Sequence, residues 1–179
     1  LMAMSKLQLR TMTGVTRPAI AAFFPTVGEL VCMLDLGANI ECDAENLVQF
    51  AILGQAFHRS LTGKESPRLG LLNVGEEEQK GHDYLRVASR RLSDPELGMN
   101  YQGFVEGSDI TNGQLDVVVT DGFSGNVALK MAEGISSMFT RLLRRSLNKS
   151  FLSRLGYLLA RSALSKMRTH IDPRHYNGA

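Results

Sequence analysis

Lys80, Asn126, Ser124, Asp35 and Asn39 are the residues whose types and spacing invite chemistry, because each stands just past an apolar, strand-like run. They fall in three segments: CMLDLGANIE (32–41), LGLLNVGEEEQKG (69–81) and VVVTDGFSGNVALK (117–130). In each, an apolar run ends in a glycine-bearing turn and a helical pattern begins. A glycine at such a junction lets backbone N–H groups approach a ligand, and the positive end of the new helix points at the same spot. Several such junctions on neighbouring parallel strands make a crevice suited to phosphate or another anion. The expected substrate is anionic.

Each segment also has a plainer reading. In DGFSGN, Asp121 and Gly122 turn the chain and Ser124 is expected to cap the following helix, so Ser124, the Gly125 amide and Asn126 share its first turn. A capped turn with no ligand needs the same residues. In NVGEEEQKG, Gly75 closes the strand, and Glu76, Glu77 and Glu78 read as solvated acids at a helix start. Lys80, one turn beyond the strand end, is placed to swing an ammonium over the crevice as a flexible point charge. Asp35 in DLGAN has three readings: metal ligand, lysine partner, or cap of its own turn, the last being the default. Asp121 shares that ambiguity, and no third ligand spacing supports a metal. The stretch Gly122-Phe123-Ser124-Gly125-Asn126 nearly matches a serine-hydrolase nucleophile elbow, but its final glycine is Asn126. Asp172 and His175 follow in triad order yet stand too close together. His58 and His82 are expected on helix surfaces.

The elements that must position these groups are legible as patterns. Leu1, Met4, Leu7, Leu9 and Met12 suggest an opening helix stopped by Gly14. An extended stretch begins at Arg17-Pro18, and strands are expected at 30–36, 68–74, 101–105 and 115–120. Helices are expected at about 44–61 and 79–92. Strands separated by helices of this length argue for a mostly parallel α/β sheet covered on both faces. At 179 residues and 44% hydrophobic content the chain suffices for one ordinary core, read here as a single α/β domain over 1–179. It opens on Leu1 and ends at YNGA with no terminating element, as expected of a piece of something longer.

Charge is uneven. Residues 134–171 hold no Asp or Glu but eight Lys and Arg, which against a whole-chain charge of +2 leaves the remainder near −6. Val127, Met131, Ile135, Met138 and Leu142 form one apolar stripe, and Leu152, Leu155, Leu158 and Leu159 a second. The two read as a long basic helical hairpin turning at 148–150, used for subunit packing with a tip available to lipid. Nucleic acid is the weakest reading, since the net charge is small and no nucleic-acid motif is present. Cys32 and Cys42 are too few for a disulfide framework or a zinc knuckle and fit a reducing cytosol. No apolar run reaches the length of a membrane span.

The segments RPAIAAFFPT, DLGANIECDAENLVQFA, PRLGLLNVGEEEQKG, GFVEGSDI, DVVVTDGFSGNVALK and DPRHYNGA together resemble the phosphate acyltransferases of bacterial phospholipid synthesis. That resemblance implies a three-layer, doubly wound fold similar to isopropylmalate dehydrogenase and phosphotransacetylase. It also implies a homodimer, a cytoplasmic location and peripheral attachment to an anionic membrane surface. The implied reaction moves a fatty acyl group from acyl carrier protein to inorganic phosphate, with no metal or organic cofactor. The acyl phosphate made is then used by a glycerol-3-phosphate acyltransferase. By resemblance, Lys80 is a catalytic or phosphate-binding residue, Asn126 its partner and Asn39 a weaker candidate; from their turns, Gly75, Ser124 and Gly125 are expected to line the substrate. The family's N-terminal portion, with a Gly-Gly-Asp strand end and a Ser-Ala-Gly-Asn-Thr-Gly-Ala turn, would lie ahead of Leu1. A phosphotransacetylase-like enzyme acting on acetyl-coenzyme A, and an inert membrane-surface fragment, are the alternatives.

Phosphate is itself a competent nucleophile near neutral pH, so a dedicated general base is dispensable. The harder task is to hold a dianion beside an electron-rich thioester and to stabilise the oxyanion that forms. Lys80, the turn amides and Asn126 are donors of the required kind.

Overall fold

The computed structural model describes Thr11, residues 14–147 and residues 150–171. The expected opening helix, the Asn148–Lys149 part of the expected turn, and the DPRHYNGA segment with Asp172 and His175 all lie outside the described residues. The chain divides into two compact units, Leu1–Asn126 and Val127–Ala179.

The first unit is built on a five-stranded sheet: β1 (Ala21–Phe24), β2 (Val31–Leu34), β3 (Arg68–Leu72), β4 (Asn100–Val105) and β5 (Val117–Val119). Their spatial order is β1-β2-β5-β3-β4. Strands β2, β5, β3 and β4 run parallel, and β1 joins β2 antiparallel at one edge. This is the mostly parallel α/β sheet that the alternation of strand and helix patterns predicts. The antiparallel edge strand is an addition: 17–24 reads as extended, but direction is not encoded in a four-residue run.

Helix α1 (Ala44–Thr62) connects β2 to β3, and α2 (Asp83–Leu92) connects β3 to β4. Asp43 starts α1 by accepting the Asn46 N–H, while the Asn46 side chain accepts from the Asp43 N–H, a reciprocal cap. Gly63, in the left-handed conformation at φ 74°, ends it. Leu47, Val48, Phe50 and Ala51 of α1 and Leu85, Ala88 and Leu92 of α2 pack on Cys32, Leu34, Leu69, Leu71, Val117 and Val119 of the sheet. Val31, Met33 and Val118, on the alternate positions of the same strands, are also fully buried, so both sheet faces are covered. α2 begins later than its pattern suggests, because residues 75–81 form a turn and not a helical lead-in.

His58 corrects an expectation. Its ring is buried at 2% exposure, and its Nδ1 lies 3.2 Å from the Thr62 hydroxyl. The α1 face that the apolar count assigned to solvent turns towards β1, where Phe23 lies near the His58 ring. Burial lowers the His58 pKa and so favours the neutral ring.

At the N-terminal ends of β3 and β5, Asp116 is 1% exposed and receives the Arg68 N–H at 2.6 Å, the Arg68 guanidinium at 3.1 Å and the Lys64 ammonium at 2.7 Å. Burial alone would raise the Asp116 carboxyl. The hydrogen bonds from Arg68 and Lys64 outweigh it and hold the pKa at about 2. A carboxyl lowered on folding stabilises the fold above its unfolded value near 3.9, and that stability drains away as pH falls towards 2. Asp116→Asn is therefore expected to cost about 2 kcal/mol at neutral pH, partly offset by solvent at Lys64 and Arg68. Urea unfolding followed from pH 7 to 2 checks it: the wild type loses stability below pH 4 and the variant loses less.

In the second unit, α3 (Gly122–Leu147), which starts in the first unit, continues from Val127, and α4 (Phe151–Ile171) follows. Val127, Met131, Ile135, Met138 and Leu142 repeat along α3 as the pattern predicts, and all five are exposed. Among the described residues no helix is long and apolar enough to cross a membrane.

Candidate active site

The C-terminal ends of β2, β5 and β3 lie side by side on one edge of the sheet, and the three glycine turns leave from them. The ladder continues one residue past the strands: Asp35 N–H donates to Thr120 O at 3.0 Å and Thr120 N–H to Leu34 O at 2.7 Å.

After β2, the Asp35 carboxylate is fully buried and saturated. Its Oδ1 accepts the N–H groups of Ile20, Gly37 and Ala38 at 2.9, 3.3 and 3.1 Å. Its Oδ2 accepts the Asn39 N–H and the Asn39 side-chain amide at 2.7 and 2.8 Å. With its lone pairs so occupied, Asp35 caps its own turn and has none to spare for a metal or a lysine. Asn39 is buried too, and its amide group also donates to Pro18 O at 2.8 Å.

After β5, the carboxylate of Asp121 receives the Ser124 N–H at 2.8 Å and the Ser124 hydroxyl at 2.9 Å. Asp121, and not Ser124 as the sequence pattern suggested, is thus the residue that caps α3. The Gly125 N–H donates to Asp121 O at 3.0 Å, and the Gly122 N–H to Asn39 O at 2.8 Å. An arriving anion therefore meets these amides already paired. Ser124 has its hydroxyl on Asp121, and among the described residues no histidine is hydrogen-bonded to it.

The two turns interlock through their glycines. A Cβ on Gly125 would sit 1.9 Å from Asp35 O, and one on Gly122 would sit 2.6 Å from Asn39 O. Asn126 is exposed, with its side chain 3.5 Å from where a Cβ on Gly37 would lie. Asn126, Asn39, Ser124 and Gly125 are thereby gathered at one place, the β2–β5 strand ends.

After β3, Lys80 folds back across Gly75, where a Cβ would meet the lysine Cδ at 2.4 Å. Its ammonium pairs with Glu77 at 2.9 Å and stays half exposed. The Glu77 hydrogen bond raises the Lys80 pKa, so the group is a cation throughout the neutral range. No hydrogen bond joins Lys80 to Asn126 among the described residues. Each stands on its own strand end, Lys80 after β3 and Asn126 after the adjacent β5.

Around this edge, the His82 ring stacks on Tyr84 with centroids 5.4 Å apart. Burial, then the charge of Asp121 and the neighbouring Cys42, push the Tyr84 phenol up. Burial pushes the Cys42 thiol up to about 11, a rise the nearby Gly122 N–H only partly opposes, so Cys42 is no thiolate nucleophile at neutral pH. Among the described residues no group of three His, Cys, Asp or Glu is arranged to hold a metal ion.

Sequence reasoning passed over Asn73. It is buried beneath the Lys80 turn and donates to both Gly75 O and Lys80 O, at 3.1 and 3.0 Å. The available signal was its place as the first polar residue after the apolar run LGLL, at the head of NVGEEEQKG.

A phosphate acyltransferase of Rhodospirillum centenum is 56% identical over 179 residues, covering all of this chain and 50% of that protein. One of Erythrobacter litoralis is 56% identical over 181 residues, covering all of this chain and 51% of that protein. The chain thus spans about half the length of the curated relatives it matches. Among solved structures, the EutD phosphotransacetylase of Staphylococcus aureus superposes with a TM-score of 0.56 at 18% identity, over 74% of this chain and 46% of that one. That likeness is one of fold. The family described as Fatty acid synthesis protein matches residues 1–179, and the chain belongs to it.

Proposed function

We propose that this chain supplies the phosphate-gripping edge of a phosphate acyltransferase, which transfers a fatty acyl group from acyl-acyl carrier protein to inorganic phosphate. The single observation that carries the reading is the exposed ammonium of Lys80 past the end of β3, one strand from the exposed Asn126 past the end of β5. The names of the relatives, of which this chain spans about half, support the reaction class.

In the proposed step a phosphate oxygen attacks the thioester carbonyl carbon, giving a tetrahedral oxyanion. The C–S bond then breaks, the sulfur leaves and takes a proton, and acyl phosphate remains. Lys80 exchanges Glu77 for phosphate and holds the dianion. The amide of Asn126 donates to phosphate or to the oxyanion, where a fixed dipole lowers the barrier without reorganising water. Acidic acyl carrier protein is drawn to the basic residues of 134–171. The apolar stripe of α3 serves the homodimer, with α3 and α4 paired as a hairpin. The hairpin tip meets anionic lipid, and the acyl phosphate passes to a glycerol-3-phosphate acyltransferase.

The test is incubation of the full-length polypeptide with labelled orthophosphate and acyl-acyl carrier protein, with acetyl-coenzyme A in a parallel reaction. Label entering a long-chain mixed anhydride supports the proposal. Label entering only acetyl phosphate, or neither, overturns it.

A further inference from the structure

We infer that Asn73 is a positioning residue that clips the Lys80-bearing turn shut and so holds the ammonium at the sheet edge. The inference rests on the phosphate-binding role proposed for Lys80.

Asn73 is the first residue beyond β3, and its backbone N–H is fixed to Val105 O at 2.9 Å, so its base is part of the sheet. An amide NH2 carries two donors, and both are used: one on Gly75 O, the other on Lys80 O. The first acceptor opens the turn and the second closes it, so one side chain spans the loop from end to end. The Asn73 Oδ1 is buried without a hydrogen-bond partner among the described residues. It faces Gly81, whose φ of +84° is left-handed and where a Cβ would lie only 2.0 Å from that oxygen. A buried acceptor left bare is unfavourable. The two hydrogen bonds that the amide donates offset that cost, and both are spent on closing the turn.

The turn has little else to hold it. Residues 76–81 are exposed. Lys80 N–H donates to Glu77 O at 3.0 Å within the loop, and the Arg86 guanidinium reaches Gln79 O and Gly81 O only at 3.4 and 3.5 Å. The buried clip is what links the Lys80 backbone to the sheet. Without it the turn can open, and a flexible lysine loses the preset direction that makes its charge useful at a reacting phosphate.

Asn73→Leu is the discriminating variant. It keeps the branched outline of the amide in a somewhat larger side chain, removes both donors and removes the bare acceptor. In the full-length protein, kcat/KM for orthophosphate is expected to fall about tenfold at saturating thioester, with KM for acyl-acyl carrier protein unchanged. Should Asn73→Leu fold poorly, Gly81→Ala probes the same clip from the other side by pushing on Asn73 Oδ1, and the same phosphate-specific loss is expected.

A double-mutant cycle separates positioning from general damage. In a Lys80→Ala background, Asn73→Leu is expected to change kcat/KM for phosphate by less than about twofold, because the group it aims is gone. A tenfold loss that persists there shows a role independent of Lys80 and overturns the inference, as does an unchanged phosphate kcat/KM in Asn73→Leu and Gly81→Ala. If Lys80→Ala itself keeps wild-type kinetics, the reading of Lys80 fails first, and the inference falls with it.

Discussion

Lys80→Ala is expected to lower turnover by about a hundredfold to a thousandfold and to leave the unfolding midpoint where it was. The two halves of that expectation come from different facts. Stability is untouched because the lysine side chain is half exposed and its ion partner, Glu77, is more exposed still. An exposed pair three residues apart is screened by water and contributes little to folding. Activity suffers because the proposed step brings a dianion to a carbon already surrounded by electron density. Removing the cation beside it leaves that repulsion unopposed.

The same facts set the behaviour of the conservative change. Lys80→Arg keeps the charge, but the side chain lies across Gly75, which has no room even for a methyl group beneath it. A planar guanidinium cannot follow that fold-back with its charge in the same place. Lys80→Arg is therefore expected to fall between wild type and Lys80→Ala. The pH profile adds a sign. Because Glu77 raises the Lys80 pKa above its ordinary 10.5, the cation persists through any alkaline limb seen between pH 7 and 9. A limb in that range that disappears in Lys80→Ala contradicts this placement; single-turnover rates with labelled phosphate measure all three.

How much of this was legible beforehand divides by physical scale. Periodicity located all four parallel strands and both connecting helices, because buried strands and amphipathic helices leave repeating marks in sequence. Asp35 at its strand end was legible as a turn-capping group, since Asp beside Gly solves a local backbone problem. What failed was anything decided by a distant neighbour. His58 looks like a surface residue on its own helix and is buried only because β1 folds across that face. Ser124 and Asp121 compete for one cap, and three residues of sequence cannot show whether the hydroxyl or the carboxylate wins. Asn73 carries no periodic signal, and its two acceptors are carbonyls that exist as partners only once the turn has closed. The proximity of Asn126 to Gly37 likewise needs β2 beside β5, a pairing across more than eighty residues.

Gly125→Ala is expected to be the most damaging single methyl in the first unit. A side chain is ordinarily harmless in the first turn of a helix, and alanine is favoured there over glycine by propensity. Here the added carbon would sit 1.9 Å from the Asp35 carbonyl oxygen and 2.9 Å from the Thr120 methyl. Neither obstacle is the mobile end of a long side chain. Asp35 is held by the ladder to Thr120 and by the five N–H groups on its carboxylate, so its carbonyl cannot retreat without loosening the DLGAN turn. The helix must move instead. Gly122, one turn earlier, is equally pressed against Asn39 and loses its hydrogen bond to that carbonyl as α3 lifts. Overpacking in a site that cannot relax costs about 3 kcal/mol. A loss of that size in urea unfolding, together with loss of phosphate-dependent turnover, is the expected result. The loss of turnover then reports displaced strand ends and not a missing amide donor, because the Gly125 N–H already serves Asp121. An alanine variant of unchanged stability would mean that the two turns do not interlock, and the grouping of Asn126 with the Asp35 turn would go with it.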